Sequence, residues 1–335
     1  MLKPLLLAAI VLVPLPALAQ TPVSKTAVDA HILPGFTALE DASRRMAEAA
    51  KADCAPDSEQ LRRAWGLAFD HWIRVSHLRF GPTESDNRAF ALAYWPDSRG
   101  KTPKALAQMI ATTDPIITTP GGVASLSIAA RGYYALEFLL YDPAFRADPT
   151  YGCALIRALT ADIAATSHSI AQDWRGSYGA LMKAPGQDYS PYRSTEEVHQ
   201  ELFKALSAGL EFTSDTRLGR PLGTFDRPRP NRAEARRSGR SLRHVVLSLT
   251  ALRDLALILS AGDDSLSADI ANAFDAVITQ ATALEDPVFA GVNDPSGRLQ
   301  IEILKQDIDL IREQQLANIG AKLGVAAGFN ALDGD

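Results

Sequence analysis

The 335-residue sequence predicts an all-α protein built of two packed helical bundles. Three observations lead there. Apolar residues recur at spacings of three and four through almost every long segment. The alternating patterns that a half-buried strand needs are scarce. Proline clusters, Pro185 to Pro191 and Pro221 to Pro230, fall between the periodic stretches. A hydrophobic content of 47% excludes a disordered chain, and two cysteines exclude a disulfide scaffold or a cysteine-rich metal module. The net charge of -5, with no long Lys/Arg block, disfavours nucleic acid as a partner.

The N-terminus reads as an export leader over residues 1-19. Lys3 supplies a positive start, Leu5 to Leu15 a short apolar run, and Ala17-Leu18-Ala19 a small-x-small cleavage site. Cleavage after Ala19 removes Lys3 and shifts the net charge from -5 to -6. The run is too short to span a bilayer, and no cysteine follows it to carry a lipid. No later stretch is apolar enough to span either. The expected location is therefore the periplasm or beyond, as a protein that is not a lipoprotein. In an oxidising compartment, Cys54 and Cys153, about a hundred residues apart, are expected to bond to each other. The rival readings are two buried free thiols or a pair of soft metal ligands.

The mature chain divides at the first proline cluster into a bundle over 20-185 and another over 192-335. Asp57-Ser58-Glu59-Gln60 reads as an N-cap with a capping Gln. Behind it, Leu61, Trp65, Ala68, Phe69, Trp72 and Val75 form an apolar face, with Trp65, Phe69 and Trp72 read as core. Gly81-Pro82 ends that helix. A central helix is predicted from Val123 to Tyr141, apolar nearly all round and stopped by Asp142-Pro143. Further helices fit Gly152 to Trp174, Thr195 to Thr213, Ala233 to Leu259, Ser265 to Leu284 and Gly297 to Leu323. The order of features repeats. Arg79-Phe80-Gly81-Pro82 and Ala130-Arg131-Gly132 in the first half match Arg217-Leu218-Gly219-Arg220-Pro221 and Arg237-Ser238-Gly239 in the second. An internal duplication and two independent bundles both produce such an order.

Glu137 is the most informative residue. It sits in Ala135-Leu136-Glu137-Phe138-Leu139-Leu140, on a helix with no wet face, where a carboxylate must be paired, ligated or neutralised. Tyr134 and Tyr141 share its stripe, and Gly132 permits close approach by another element or a ligand. One reading is a structural carboxylate held by an arginine of a facing helix; the other is a ligand-binding group.

The segment Ala130-Arg131-Gly132-Tyr133-Tyr134-Ala135-Leu136-Glu137-Phe138-Leu139-Leu140 resembles the signature helix of the imelysin-like family, also classed as the M75 peptidases. That signature is Gly-x-His-x-x-Glu, and its His stands here as Tyr134. Arg79-Phe80-Gly81-Pro82, Trp95-Pro96-Asp97, Arg237-Ser238-Gly239-Arg240-Ser241-Leu242 and the terminal Gly328 to Asp335 also look like family segments. The resemblance implies an all-α fold and an association with bacterial iron uptake. The departure at Tyr134 argues against a peptidase: a phenol is a poor zinc ligand, no His-Glu-x-x-His is present, and the six histidines form no i, i+4 pair. Tyrosinate does bind ferric iron, so Tyr134 and Glu137 are candidate members of an oxygen-rich iron(III) site.

Asp97 has two readings, a turn cap and a third carboxylate partner for Glu137 across the bundle. Its Trp-Pro-Asp context also marks the acid loop of tyrosine phosphatases, but the Cys-x5-Arg nucleophile is missing. Seven arginines lie between Arg227 and Arg243, offset only by Asp226 and Glu234. They read either as an anion clamp or as partners for buried acids, with Arg237 and Arg240 balancing charge at the motif and Ser238 and Ser241 beside them. Glu302, Gln306 and Asp309 share a helical face read as solvated. The expected function is a periplasmic binding or accessory protein for iron or an iron-containing ligand, with envelope components of iron uptake as partners. A metallopeptidase and an interaction protein with a purely structural motif pocket are the alternatives.

Overall fold

The computed structural model describes residues 22–119 and 121–325. The leader at 1-19 and the terminal Gly328 to Asp335 lie outside the described residues. Among those described, no β-strand forms; an isolated bridge joins Thr224 and Arg227. No described helix is long and apolar enough to cross a membrane.

Helix α1 (Leu33–Ala52) packs against α2 (Glu59–Val75), while α3 (Lys101–Thr112) covers one end of the short central α4 (Gly132–Tyr141). The long α5 (Pro149–Asp173) closes this group against both α1 and α4. The second group holds α6 (Thr195–Glu211), α7 (Ser241–Ser260), α8 (Asp264–Thr282), α9 (Pro295–Leu310) and α10 (Leu316–Leu323). Contact between α2 and α7 joins the groups. Helices α1 and α3 are additional to the helices expected from apolar periodicity.

Local chemistry sets the helix starts. Of the Asp57-Ser58-Glu59-Gln60 segment, Ser58 is the cap of α2: its Oγ accepts from Leu61 N. The apolar face that follows is core, with Trp65 and Phe69 fully buried and Trp72 nearly so. Cys54, just ahead of α2, is bonded to Cys153, the fifth residue of α5, their Cα atoms 5.1 Å apart.

Two predicted helices are shorter than their periodicity implied. The stretch from Val123 to Tyr141 is not one helix. A short turn of helix, Gly122–Ser125, and a 3-10 turn, Ile128–Ala130, precede α4. Arg131 is extended and Gly132 has φ +77°, so helical hydrogen bonding cannot run through. Likewise α7 begins at Ser241, not Ala233, because Ala235 (φ +46°) and Gly239 (φ +70°) break the run. A propensity pattern carries no mark of these left-handed residues. Three of the long helices pass instead into π-helical turns, Trp174–Tyr178, Phe212–Leu218 and Ile311–Gln315.

Candidate functional site

The candidate site forms where α4 meets the irregular segment 233–240. Gly132 lets the start of α4 lie directly against the 91–92 backbone. A Cβ built there would lie 2.2 Å from the Leu92 carbonyl oxygen and 2.5 Å from that of Ala91, and the positive φ also disfavours any other residue. Arg131 just before it forks onto Asp162, Nη2 to Oδ1 at 2.7 Å and Nε to Oδ2 at 3.0 Å, and donates to the Ala124 carbonyl. These contacts anchor the start of α4, so Arg131 supports the site from behind.

Glu137 is 2% exposed. Its Oε1 accepts from Ser238 N at 2.9 Å and from Ser238 Oγ at 2.8 Å. Burial raises its pKa above the usual carboxylate range; the two Ser238 bonds and the nearby Arg237 only partly offset this. No arginine forms an ion pair with it among the described residues, contrary to the expected arginine partner. Arg237 pairs with Asp142 (Nε to Oδ2, 2.9 Å) and lies 3.7 Å above the Phe138 ring. Arg240 and Arg243 both bind Asp70 on α2, and Arg240 also donates to the Gly66 carbonyl.

Tyr134 is hydrogen-bonded to Glu234 and not to Glu137. Its hydroxyl donates in a short hydrogen bond to Glu234, and burial followed by the Glu234 charge pushes the phenol well above its ordinary pKa. Glu234 in turn accepts from Arg217 Nε at 2.8 Å, and both are almost completely buried. Burial alone would raise the Glu234 carboxyl. The Arg217 guanidinium, aided by His244 and by the Tyr134 bond, outweighs that and holds it at about 2. Arg217 sits in the π-helical turn after α6, where its Nη1 also meets Thr213 and Ser248. His244 on α7 is fully buried. Its Nδ1 comes within 3.2 Å of Glu234 Oε2 without hydrogen-bond alignment, neither ring nitrogen has a hydrogen-bond partner, and burial lowers its pKa. Ser241 Oγ donates to the Glu234 carbonyl.

Glu234, Arg217, His244 and Asp70 are the residues that sequence reasoning missed. Glu234 carried one usable signal: an acid between Ala233 and Ala235 inside an arginine run is flanked as a buried group would be. His244 sits on an apolar stripe of α7, which a satisfied core residue does equally well.

Asp97 is a cap. Its Oδ1 accepts from Lys101 N (2.9 Å) and its Oδ2 from Thr102 N (2.8 Å), so both oxygens start α3 and are not shared with Glu137. It nonetheless lines a cleft of about 180 Å³ whose floor is Tyr134 and Phe138 and whose walls include Trp95, Arg220, Arg232 and Arg236. Elsewhere, the face of Glu302, Gln306 and Asp309 is partly solvated, with Gln306 exposed and the two acids half-buried in surface ion pairs. Asp309 takes hydrogen bonds from Ser214, Lys305 and Arg312, and Glu302 takes one from Arg298.

A hydrolytic metal fits this donor set poorly. Among the described residues, no three His, Cys, Asp or Glu side chains converge as a metal ion would require. Tyr134 is a neutral phenol committed to Glu234, and Oε1 of Glu137 is committed to Ser238. The arrangement can hold a buried charge network rigidly beneath a cationic, aromatic-walled cleft.

The fold is shared with known proteins. A putative iron-regulated protein A precursor from Parabacteroides distasonis superposes on 90% of this chain and 94% of its own, with a TM-score of 0.75 at 14% identity. An imelysin-like protein from Psychrobacter arcticum superposes over 96% of this chain and 100% of its own, with the same TM-score of 0.75 at 19% identity. In sequence, the chain is 22% identical over 218 residues to iron-regulated protein A of Synechococcus elongatus, an alignment spanning 62% of this chain and 56% of that relative. The imelysin (peptidase M75) family model matches residues 32–315. With a match of that extent, the chain belongs to the imelysin family.

Proposed function

We propose that this chain is an exported binding or accessory protein of iron acquisition and not a peptidase. The observation that carries the reading is the internal commitment of the two motif groups: Tyr134 donates to Glu234, and Glu137 accepts from Ser238. A zinc peptidase needs ligands aimed at one point and an open coordination position, and these two side chains are instead taken up by Glu234 and Ser238. The iron connection is supported by the likeness to iron-regulated protein A, and export by the leader read at residues 1-19. An iron-containing ligand would enter at the cleft over Tyr134 and Phe138, with Glu137 and Tyr134 as rigid floor instead of first ligands.

The same internal commitment favours a second reading, an interaction protein whose motif pocket is purely structural. One experiment separates the three cases. The purified mature protein and Glu137→Gln are titrated calorimetrically with ferric iron, ferric chelates and divalent metals, then incubated with an unfolded protein substrate with and without a chelator. We expect saturable uptake of a ferric species and no chelator-sensitive cleavage. Cleavage lost in Glu137→Gln would reinstate a metallopeptidase. No uptake by a folded wild type would leave the interaction reading.

A further inference from the structure

The cleft above Tyr134 carries more positive charge than its own carboxylates use. Among the described residues lining it, Asp97 is the single acid, and its two oxygens are taken by backbone amides of α3. Arg237 is matched by Asp142. Arg220, Arg232 and Arg236 form no ion pair among the described residues. Arg220 is the telling one. It lies 5.8 Å over the Trp95 ring, and its Nε is buried with no hydrogen-bond partner. A guanidinium donor removed from water and left unmatched is costly in a folded protein. Its pKa is pushed down by that burial and further by the charge of Arg232. Beneath the cleft, the Glu234 charge is already matched by Arg217, and Oε1 of Glu137 accepts from Ser238 N and Oγ, so both acids of the floor have partners of their own.

We propose that this cleft is a binding site for a small oxyanion carrying two or more carboxylate or phosphate charges, clamped by Arg220, Arg232 and Arg236 against Trp95. The planar fork of arginine suits both oxyanions, and a volume of about 180 Å³ limits the occupant to a small molecule. The inference stands apart from the iron reading, because the anion is held whether or not it carries a metal.

The test uses metal-free citrate and metal-free pyrophosphate, titrated into the mature protein at low ionic strength by calorimetry. Saturable binding of at least one is expected, and the tighter of the two identifies carboxylate or phosphate as the natural chemistry. Arg220→Gln and Arg232→Glu should each weaken it about tenfold or more. Arg63→Glu, the same charge change at an exposed position on α2, should leave it nearly unchanged. Arg232 is exposed, so its variant decides the matter even if Arg220→Gln misfolds. Failure of both probes to saturate, or equal weakening by Arg232→Glu and Arg63→Glu, would overturn the site.

Discussion

Glu137 and Glu234 are both buried acids, yet their surroundings drive them in opposite directions, and stability should record the difference. Glu234 is held at about 2 by Arg217, against an ordinary value of 4.5. A depressed carboxyl stabilises the fold above its unfolded pKa, so this contribution is complete above about pH 4.5 and fades as pH falls toward 2. Arg217→Met strands the Glu234 charge in the interior. It should cost about 3–5 kcal/mol at pH 7, with a much smaller deficit at pH 3, both read from urea unfolding. Glu137 has a raised pKa, so its favourable contribution belongs to low pH and diminishes as pH rises through that value. Glu137→Gln keeps an oxygen for the two Ser238 donors and removes the ionisation. Its melting temperature at pH 7 should match or exceed that of the wild type. Glu137→Leu leaves Ser238 N unpaired and should lose about 1–3 kcal/mol. A Gln variant as damaged as the Leu variant would mean that the charge itself holds the site together.

Among the elements, the two glycines at the starts of α4 and α7, Gly132 as first residue and Gly239 two before Ser241, separate conformational strain from steric exclusion. Both have positive φ, +77° at Gly132 and +70° at Gly239. A Cβ at Gly239 meets nothing within 4 Å, whereas one at Gly132 would run into the carbonyls of Leu92 and Ala91. Gly239→Ala should therefore cost only the left-handed penalty, about 1–2 kcal/mol. Gly132→Ala should cost clearly more and displace α4 from the 91–92 backbone, visible as lost hydrogen-exchange protection in α4. Equal costs would refute the steric account. These positions also mark how far the sequence could be read. Long helices such as α5 and α8 were legible because their apolar spacing persists for many turns. The breaks at Arg131-Gly132 and Ala235-Gly239 were not, since Tyr133 to Leu140 and Leu242 onward look helical whatever precedes them. In the site, Glu137 announced itself by its apolar neighbours. Its partner did not, because Ser238 binds partly through a backbone amide that no residue pattern encodes. The Tyr134–Glu234 bond joins residues a hundred positions apart, and only the packing of 233–240 against α4 brings them together.

For the molecule as a whole, the question is whether the two helical groups unfold as one. The disulfide lies entirely in the first group, tying the segment before α2 to the start of α5 across 99 residues of sequence. Closing a loop of that length restricts the unfolded chain, and its loss typically removes about 2–5 kcal/mol. If the groups were independent, reduction would lower the stability of the first alone and split the transition in two. The interface argues otherwise. Asp70 on α2 takes both Arg240 and Arg243 from α7, Phe69 meets the His244 ring at 4.5 Å, and α4 is held from the second group through Ser238 and Glu234. Freeing the first group would give up these pairs and hydrogen bonds and uncover the apolar surface buried where α2 meets α7, so partial unfolding is more expensive than its own helices imply. We therefore expect reduction, or Cys54→Ser with Cys153→Ser, to move a single cooperative transition to lower denaturant without dividing it. Coincident far-ultraviolet circular dichroism and tryptophan fluorescence curves would establish this, because Trp65, Trp72, Trp95 and Trp174 all lie in the first group. A fluorescence transition that precedes the loss of helicity would instead show that the first group comes apart alone.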